Sequence, residues 1–176
     1  MCVDYCNLNF KTIKNRYSLL LIENLLNRLT EAAIFTQLDM KHAYHHLHIY
    51  KDNEWKTVFC ISLELFEYII VLFDLTNALT VFQSYINKTL CEYLDVFVMI
   101  YLDNIVIYFS CEKDHEKHVH KILKTLIKMN LYVKLSKCNF STHKIDFLSY
   151  QVFTEEISMK SSQVETILSW LESEFK

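Results

Sequence analysis

The sequence contains no glycine and no proline among its 176 residues. At average usages of about 7% and 5%, chance would leave a chain of this length without either less than about once in a billion. Tight turns and helix C-termini must therefore be built from Asn, Asp, Ser or Lys, at a cost wherever φ is positive. Strained or rebuilt turns are expected. Arginine is scarce too, with only Arg16 and Arg28. No run of about 18 uncharged apolar residues occurs, which excludes an ordinary transmembrane helix, and the N-terminus has no signal-peptide pattern. A soluble, intracellular chain with no membrane partner is expected. Cys2, Cys6, Cys60, Cys91, Cys111 and Cys138 are scattered without a C-x-x-C pair, so neither a zinc site nor a disulfide framework is expected.

What is present is core material, 52% hydrophobic residues of which many are aromatic, enough for one domain. Two apolar, β-branched runs, Val96 to Tyr101 and Ile105 to Phe109, flank a polar pair, Asp103-Asn104. This reads as a buried β-hairpin with the pair at its turn. A second apolar run, Ile34 to Asp39, also ends in an aspartate. Two strand-end carboxylates can meet at one sheet edge, where hard oxygen ligands suit divalent magnesium and two-metal phosphoryl transfer.

The remaining elements follow from periodicity and end signals. Met1 to Asn9 reads as extended and Asn15 to Tyr17 as a turn. Ser18 is placed to cap a helix with the apolar stripe Leu19, Ile22, Leu25, Leu26 and Leu29. Thr57 to Ile61 and Phe66 to Leu72 read as strands. Thr76 is placed to cap a helix to about Tyr93, and Ser110 a longer one to about Met129, stopped by Asn130 in the left-handed region. Leu131 to Val133 and Ile145 to Val152 read as strands, and Lys160 to Trp170 as a last amphipathic helix. No repeat or linker divides the chain, and the pattern is α+β, an antiparallel sheet with helices on one face.

Charge is uneven. The formal net charge is −3, yet eight lysines and four histidines lie between Lys113 and Lys144. Such a run is either a solvated helix face or a track for phosphates. The histidines of Lys41-His42-Ala43-Tyr44-His45-His46-Leu47-His48 lack the i, i+4 pairing with a third ligand that zinc requires. Tyr44, five residues beyond Asp39, is either a core tyrosine or part of the same pocket.

Val3-Asp4-Tyr5, Phe35-Thr36-Gln37-Leu38-Asp39, Ala43-Tyr44-His45, Asp52-Asn53-Glu54-Trp55-Lys56-Thr57, Phe66-Glu67-Tyr68, Leu75-Thr76-Asn77-Ala78, Phe82-Gln83, Tyr101-Leu102-Asp103 and Lys134-Leu135-Ser136-Lys137-Cys138 fall in recognisable order and spacing. The series resembles the reverse transcriptase of Ty3/gypsy-type long-terminal-repeat retrotransposons across essentially the whole chain. The resemblance implies a palm with partial fingers: about 1–32 and 50–72 fingers-like, 33–49 and 73–152 palm, and 153–176 the start of the following segment. It implies an RNA-directed DNA polymerase acting on an RNA or DNA template with primer and deoxynucleoside triphosphates. Asp39 and Asp103 would hold two magnesium ions, with Asn104 at the last aspartate of the family pattern Tyr-x-Asp-Asp. Tyr44 would lie beneath the incoming sugar, and Phe73 and Asp74 would line the nucleotide. Leu148, Ser149 and Tyr150 would form the primer grip, and Lys134 or Lys137 would approach the leaving pyrophosphate.

The departures from the pattern are informative. Family glycines stand here as Glu64, Asp74, Ser149 and Glu156, and family prolines as Ser18, Leu72, Leu79, Leu171 and Ser173. One C-to-T or G-to-A change makes each swap, and also Asn104 from aspartate. A copy degraded by directional cytosine-to-thymine mutation would carry this signature. With a charge missing at Asn104, an added one at Asp74, and a chain that begins inside the family's fingers, little or no polymerase activity is expected. The alternative is a non-catalytic remnant that binds nucleic acid or another subunit.

Overall fold

Apolar residues at every second or every third to fourth position build an α+β fold. The structure, a computed structural model, describes residues 3–18, 21–30, 32–41, 43–154 and 156–174. Its elements in chain order are α1 (Cys6–Lys11), α2 (Ile22–Leu29), β1 (Ile34–Lys41), β2 (Phe59–Ile61), β3 (Glu64–Phe66), α3 (Ala78–Thr89), β4 (Val98–Tyr101), β5 (Asn104–Phe109), α4 (Glu112–Lys128), β6 (Tyr132–Val133), β7 (Asn139–Thr142), β8 (Lys144–Phe147), β9 (Tyr150–Phe153), β10 (Ile157–Met159) and α5 (Ser161–Glu174). Short 3₁₀ turns occupy Ala43–His46, Glu54–Thr57 and Leu135–Lys137.

The central sheet runs β4-β5-β1-β6, with β7 also paired to β1. All of its pairs are antiparallel. Side chains alternate across it. Leu38, Met40, Val98, Ile100, Ile105 and Ile107 pack with Phe82 and Ile86 of α3 and Ile122 and Leu126 of α4. Phe35, Met99 and Val106 on the opposite face pack with Leu25, Leu26 and Leu29 of α2 and with Ile145, Phe147 and Val152 of the β8-β9-β10 sheet. The sheet is thus buried on both faces, and its edge turns are what remain open.

Several local expectations are corrected. Residues 6–11 form α1 rather than continuing extended chain, and residues 15–17 carry no turn. Helix α2 starts after Leu21, not Ser18, while Leu19 lies outside the described residues. Helices α3 and α4 start after Asn77 and Cys111, one residue later than the expected caps, and neither N-cap side chain makes a capping bond. Thr57 closes a 3₁₀ turn, so the strand expected from Thr57 starts at Phe59, and β3 ends at Phe66, where a strand was expected to begin. Residues 145–152 form a hairpin of two strands, because Leu148 and Ser149 turn the chain.

Without glycine, positive φ falls on Asp52, Ser62, Asp95, Leu102, Asn130, Ser141, Leu148 and Ser149. Asn130 ends α4 as expected. Leu102 and Leu148 are unusual, since a bulky Cβ substituent costs about 1–2 kcal/mol in the left-handed region. Among the described residues Cys6, Cys60, Cys91, Cys111 and Cys138 are free thiols, and Cys2 lies outside them. No helix among the described residues is long and apolar enough to cross a membrane.

Candidate active site

The β4-β5 hairpin and the end of β1 bring three polar residues of the sequence reading together. In the register, Asp39 lies opposite Asn104 on β5, and Asn104 lies opposite Tyr101 on β4. The turn is therefore Leu102-Asp103, one residue earlier than Asp103-Asn104. Asn104 is held in the ladder on both sides, which forces Leu102 to take φ 55°. The Met40 amide donates to the Asp103 carbonyl at 2.9 Å, and the Lys134 amide donates to the Asp39 carbonyl at 2.9 Å. Two strand ends separated by some sixty residues in sequence are thereby locked side by side.

Gln83 of α3 supports this turn from behind. Its Oε1 accepts from the Leu102 amide at 2.6 Å, and its Nε2 donates to the Ile100 carbonyl at 3.4 Å and to Asn87 Oδ1 at 2.8 Å. Gln83 was legible only as part of a motif; a buried amide on an apolar helix face is the signal that could have flagged it.

Alternation on β1 sends Phe35, Gln37 and Asp39 to one face, which Asn104 and Val106 share across the register. Lys137 Nζ donates to Asp39 Oδ2 at 3.3 Å. Lys134, by contrast, touches Asp39 through its backbone amide. Gln37 Nε2 donates both to Asn104 Oδ1 at 3.2 Å and to the Asp146 carbonyl at 2.9 Å. Asn139 Nδ2 donates to Gln37 Oε1 at 3.4 Å. Gln37 thus ties Asn104 to β8.

Tyr44 lies in the 3₁₀ turn after β1, its ring 5.3 Å from Phe73 in edge-on contact and 5.2 Å from Phe82. Burial raises its hydroxyl pKa, and the negative charge of Asp103 raises it further. Phe73 is mostly exposed. The Asp74 carbonyl accepts from Asn9 Nδ2 at 2.8 Å, and Asn9 Oδ1 accepts from the Thr76 amide at 2.8 Å. Nothing local marked Asn9, whose partners lie more than sixty residues away.

Leu148 and Ser149 turn the β8-β9 hairpin at φ 48° and 75°, and Tyr150 opens β9. The Ser149 carbonyl accepts from the Lys160 amide at 3.2 Å, and Lys160 Nζ pairs with Asp146 Oδ2 at 3.0 Å. Leu148 and Tyr150 pack on the Phe35 side of the core.

Asp39 and Asp103 are the carboxylates of the site, and Asn104 adds a neutral amide oxygen already engaged by Gln37. Among the described residues no group of three or more His, Cys, Asp or Glu side chains could hold a metal ion. His42 lies outside those residues. Asp39 and Asp103 offer two carboxylates and Asn104 an amide oxygen, a donor set poorer than a three-carboxylate cradle.

A family model described as reverse transcriptase (RNA-dependent DNA polymerase) matches residues 1–152. The Tf2-7 transposon polyprotein of Schizosaccharomyces pombe is 35% identical over 170 residues, and the Tf2-3 polyprotein is 34% identical over the same length. Each match takes in 97% of this chain, which spans only 13% of those polyproteins. A foamy viral protease-reverse transcriptase solved with an RNA/DNA hybrid superposes with a TM-score of 0.83 at 18% identity, over 94% of this chain and 22% of that one. The same kind of protein solved with double-stranded DNA gives 0.85 at 18% identity, over 96% and 35%. These structures share the fold.

Proposed function

The chain belongs to the reverse transcriptase (RNA-dependent DNA polymerase) family, and from that membership we propose that the Leu102-Asp103 turn and the end of β1 form its nucleotidyl-transfer centre. The observation that carries this reading is the pairing of Asp39 with Asn104, with Asp103 fastened to Met40 at the apex. Asp39 and Asp103 would hold magnesium, which when bound supplies charge neutralisation at the phosphates and activation of the primer 3′-oxygen.

The remaining roles belong to the chain's own groups. Lys137, beside Asp39, offers a cation to the anionic nucleotide or departing pyrophosphate. Tyr44, packed against Phe73 and Phe82, supplies an aromatic wall where the sugar would lie. Leu148, Ser149 and Tyr150 would support the primer end, coupled to the centre through Asp146 and Gln37. The template, primer and deoxynucleoside triphosphates are the partners of this reading. Residues 1–32 and 50–72 would serve as fingers, and 33–49 and 73–152 as palm.

Turnover in this chain is weak or absent. Asn104 lacks the charge of the family aspartate, which lowers the site from about −3 to −2 and loosens metal binding. Asp74 sets a carboxylate near the anionic nucleotide. Primer extension on an RNA template, in magnesium and then manganese, tests this with Asp39→Ala and Asn104→Asp beside the unaltered chain. Extension restored by Asn104→Asp and absent in Asp39→Ala is expected. Full extension by the unaltered chain would refute the crippled site, and extension that survives Asp39→Ala would refute the site itself.

A further inference from the structure

Helix α4 carries a feature that catalysis does not use. At about 100° per residue, Lys113, Lys117, His120, Lys121, Lys124 and Lys128 fall within an arc of roughly 100°. All six are exposed. The stripe lies opposite the side that buries His115, Ile122 and Leu126. At a rise of about 1.5 Å per residue it is about 22 Å long. Of its lysines, Lys117 alone has an acid partner among the described residues, Asp114.

This arrangement opposes helix stability. Like charges three and four residues apart repel. The helix dipole favours Lys128 at the C-terminal end, but it does not account for Lys113 to Lys121. The stripe also sits on a chain of net charge −3. It lies across the sheet from Asp39 and Asn104. Helix α4 covers the Leu38 and Ile107 face of the sheet, whereas Asp39 and Asn104 occupy the other.

We propose that the outer face of α4 is a second nucleic-acid contact, a sequence-independent track for the phosphate backbone across the sheet from Asp39 and Asn104. The chemistry of the face selects this partner. Ile122 and Leu126 are spent in the core, and exposed Ile127 beside the stripe is a single apolar side chain, too little to insert into a bilayer. No Phe, Tyr or Trp stands within the stripe to anchor a protein partner. A row of mobile cations with no geometric demand suits phosphates.

Lys121→Glu/Lys124→Glu/Lys128→Glu tests the proposal in the full chain, leaving every active-site residue unchanged. The probes are a labelled 20-nucleotide single-stranded RNA titrated across salt concentrations and, separately, vesicles of phosphatidylcholine with phosphatidylserine. With about 0.7 counterions released per contact on a single strand, the slope of log affinity against log salt should fall by about 2. RNA affinity near 0.1 M salt should fall by about a hundredfold or more, with an unchanged circular-dichroism spectrum. Lys121→Gln/Lys124→Gln/Lys128→Gln should lose most of the same affinity, which separates lost attraction from added repulsion. An unchanged slope and RNA affinity in the folded variant would overturn the proposal, and so would loss of vesicle binding with RNA binding intact. Because the readout is binding, a negative result here leaves the nucleotidyl-transfer reading untouched.

Discussion

Gln83 Oε1 accepts a 2.6 Å hydrogen bond from the amide of Leu102, joining a buried helix residue to the strained apex of the β4-β5 hairpin. The bond satisfies an amide that the two-residue turn leaves outside the ladder, and it helps hold Leu102 at a φ that its side chain disfavours.

Replacing Gln83 by methionine keeps the volume and removes the acceptor. The Leu102 amide then loses its partner, at a cost of about 1–3 kcal/mol. Urea denaturation should show the midpoint falling without a change in slope. An unchanged midpoint would mean that water or a relaxed turn replaces the bond.

Ser149→Gly acts in the opposite direction. Ser149 is exposed at φ 75°, so glycine removes a Cβ penalty without emptying the core. Stability should rise by about 1 kcal/mol, read as a higher thermal midpoint. Leu148 at φ 48° is a poorer choice because its side chain packs on the core.

His115 makes stability depend on pH. Its ring is fully buried, with Nε2 2.8 Å from Thr36 Oγ1 and Nδ1 without a hydrogen-bond partner. Burial lowers its pKa below the usual 6.5, and neighbouring His118 lowers it further. His118, packed against Phe97 and Phe109, is also lowered, chiefly by burial. The unfolded chain therefore binds more protons than the folded one below about pH 6.5. Their contribution is fully present above that pH and is lost as pH falls toward the lowered folded values. Chemical denaturation between pH 7.5 and 5 should show this decline, and His115→Gln should flatten part of it.

Lys137→Ala separates a site role from a stability role. The pair with Asp39 is half exposed on the lysine side, so its loss should cost no more than about 0.5 kcal/mol. In the Asn104→Asp background, primer extension should nevertheless fall by about tenfold or more if Lys137 meets the nucleotide phosphates. Equal extension with and without Lys137 would remove it from the proposed mechanism.

Periodicity and residue type made the secondary elements and their order legible, because burying an apolar face is a local requirement written every two or every three to four residues. The β4-β5 hairpin, β1, α3, α4 and the Asn130 stop could all be read this way. Cap residues could not. Asn77 begins α3, yet its side chain donates to the Ile13 carbonyl and accepts from the Asn15 amide instead of capping. Its choice depends on a segment more than sixty residues away.

Residue pattern alone placed Asp39 near the end of a buried strand and Asp103 in a hairpin turn, although β1 runs on to Lys41, two residues past the expected end at Asp39, and it required turns built without glycine. Tertiary structure alone decided that Asp39 pairs with Asn104 rather than Asp103, that Lys137 rather than Lys134 reaches the carboxylate, and that Leu102 bears the positive φ. It also recruited Gln37, Gln83 and Asn9. The physical reason is range. Burial patterns repeat within a few residues, whereas register and hydrogen-bond partners are set by chain segments that meet only once the core has closed.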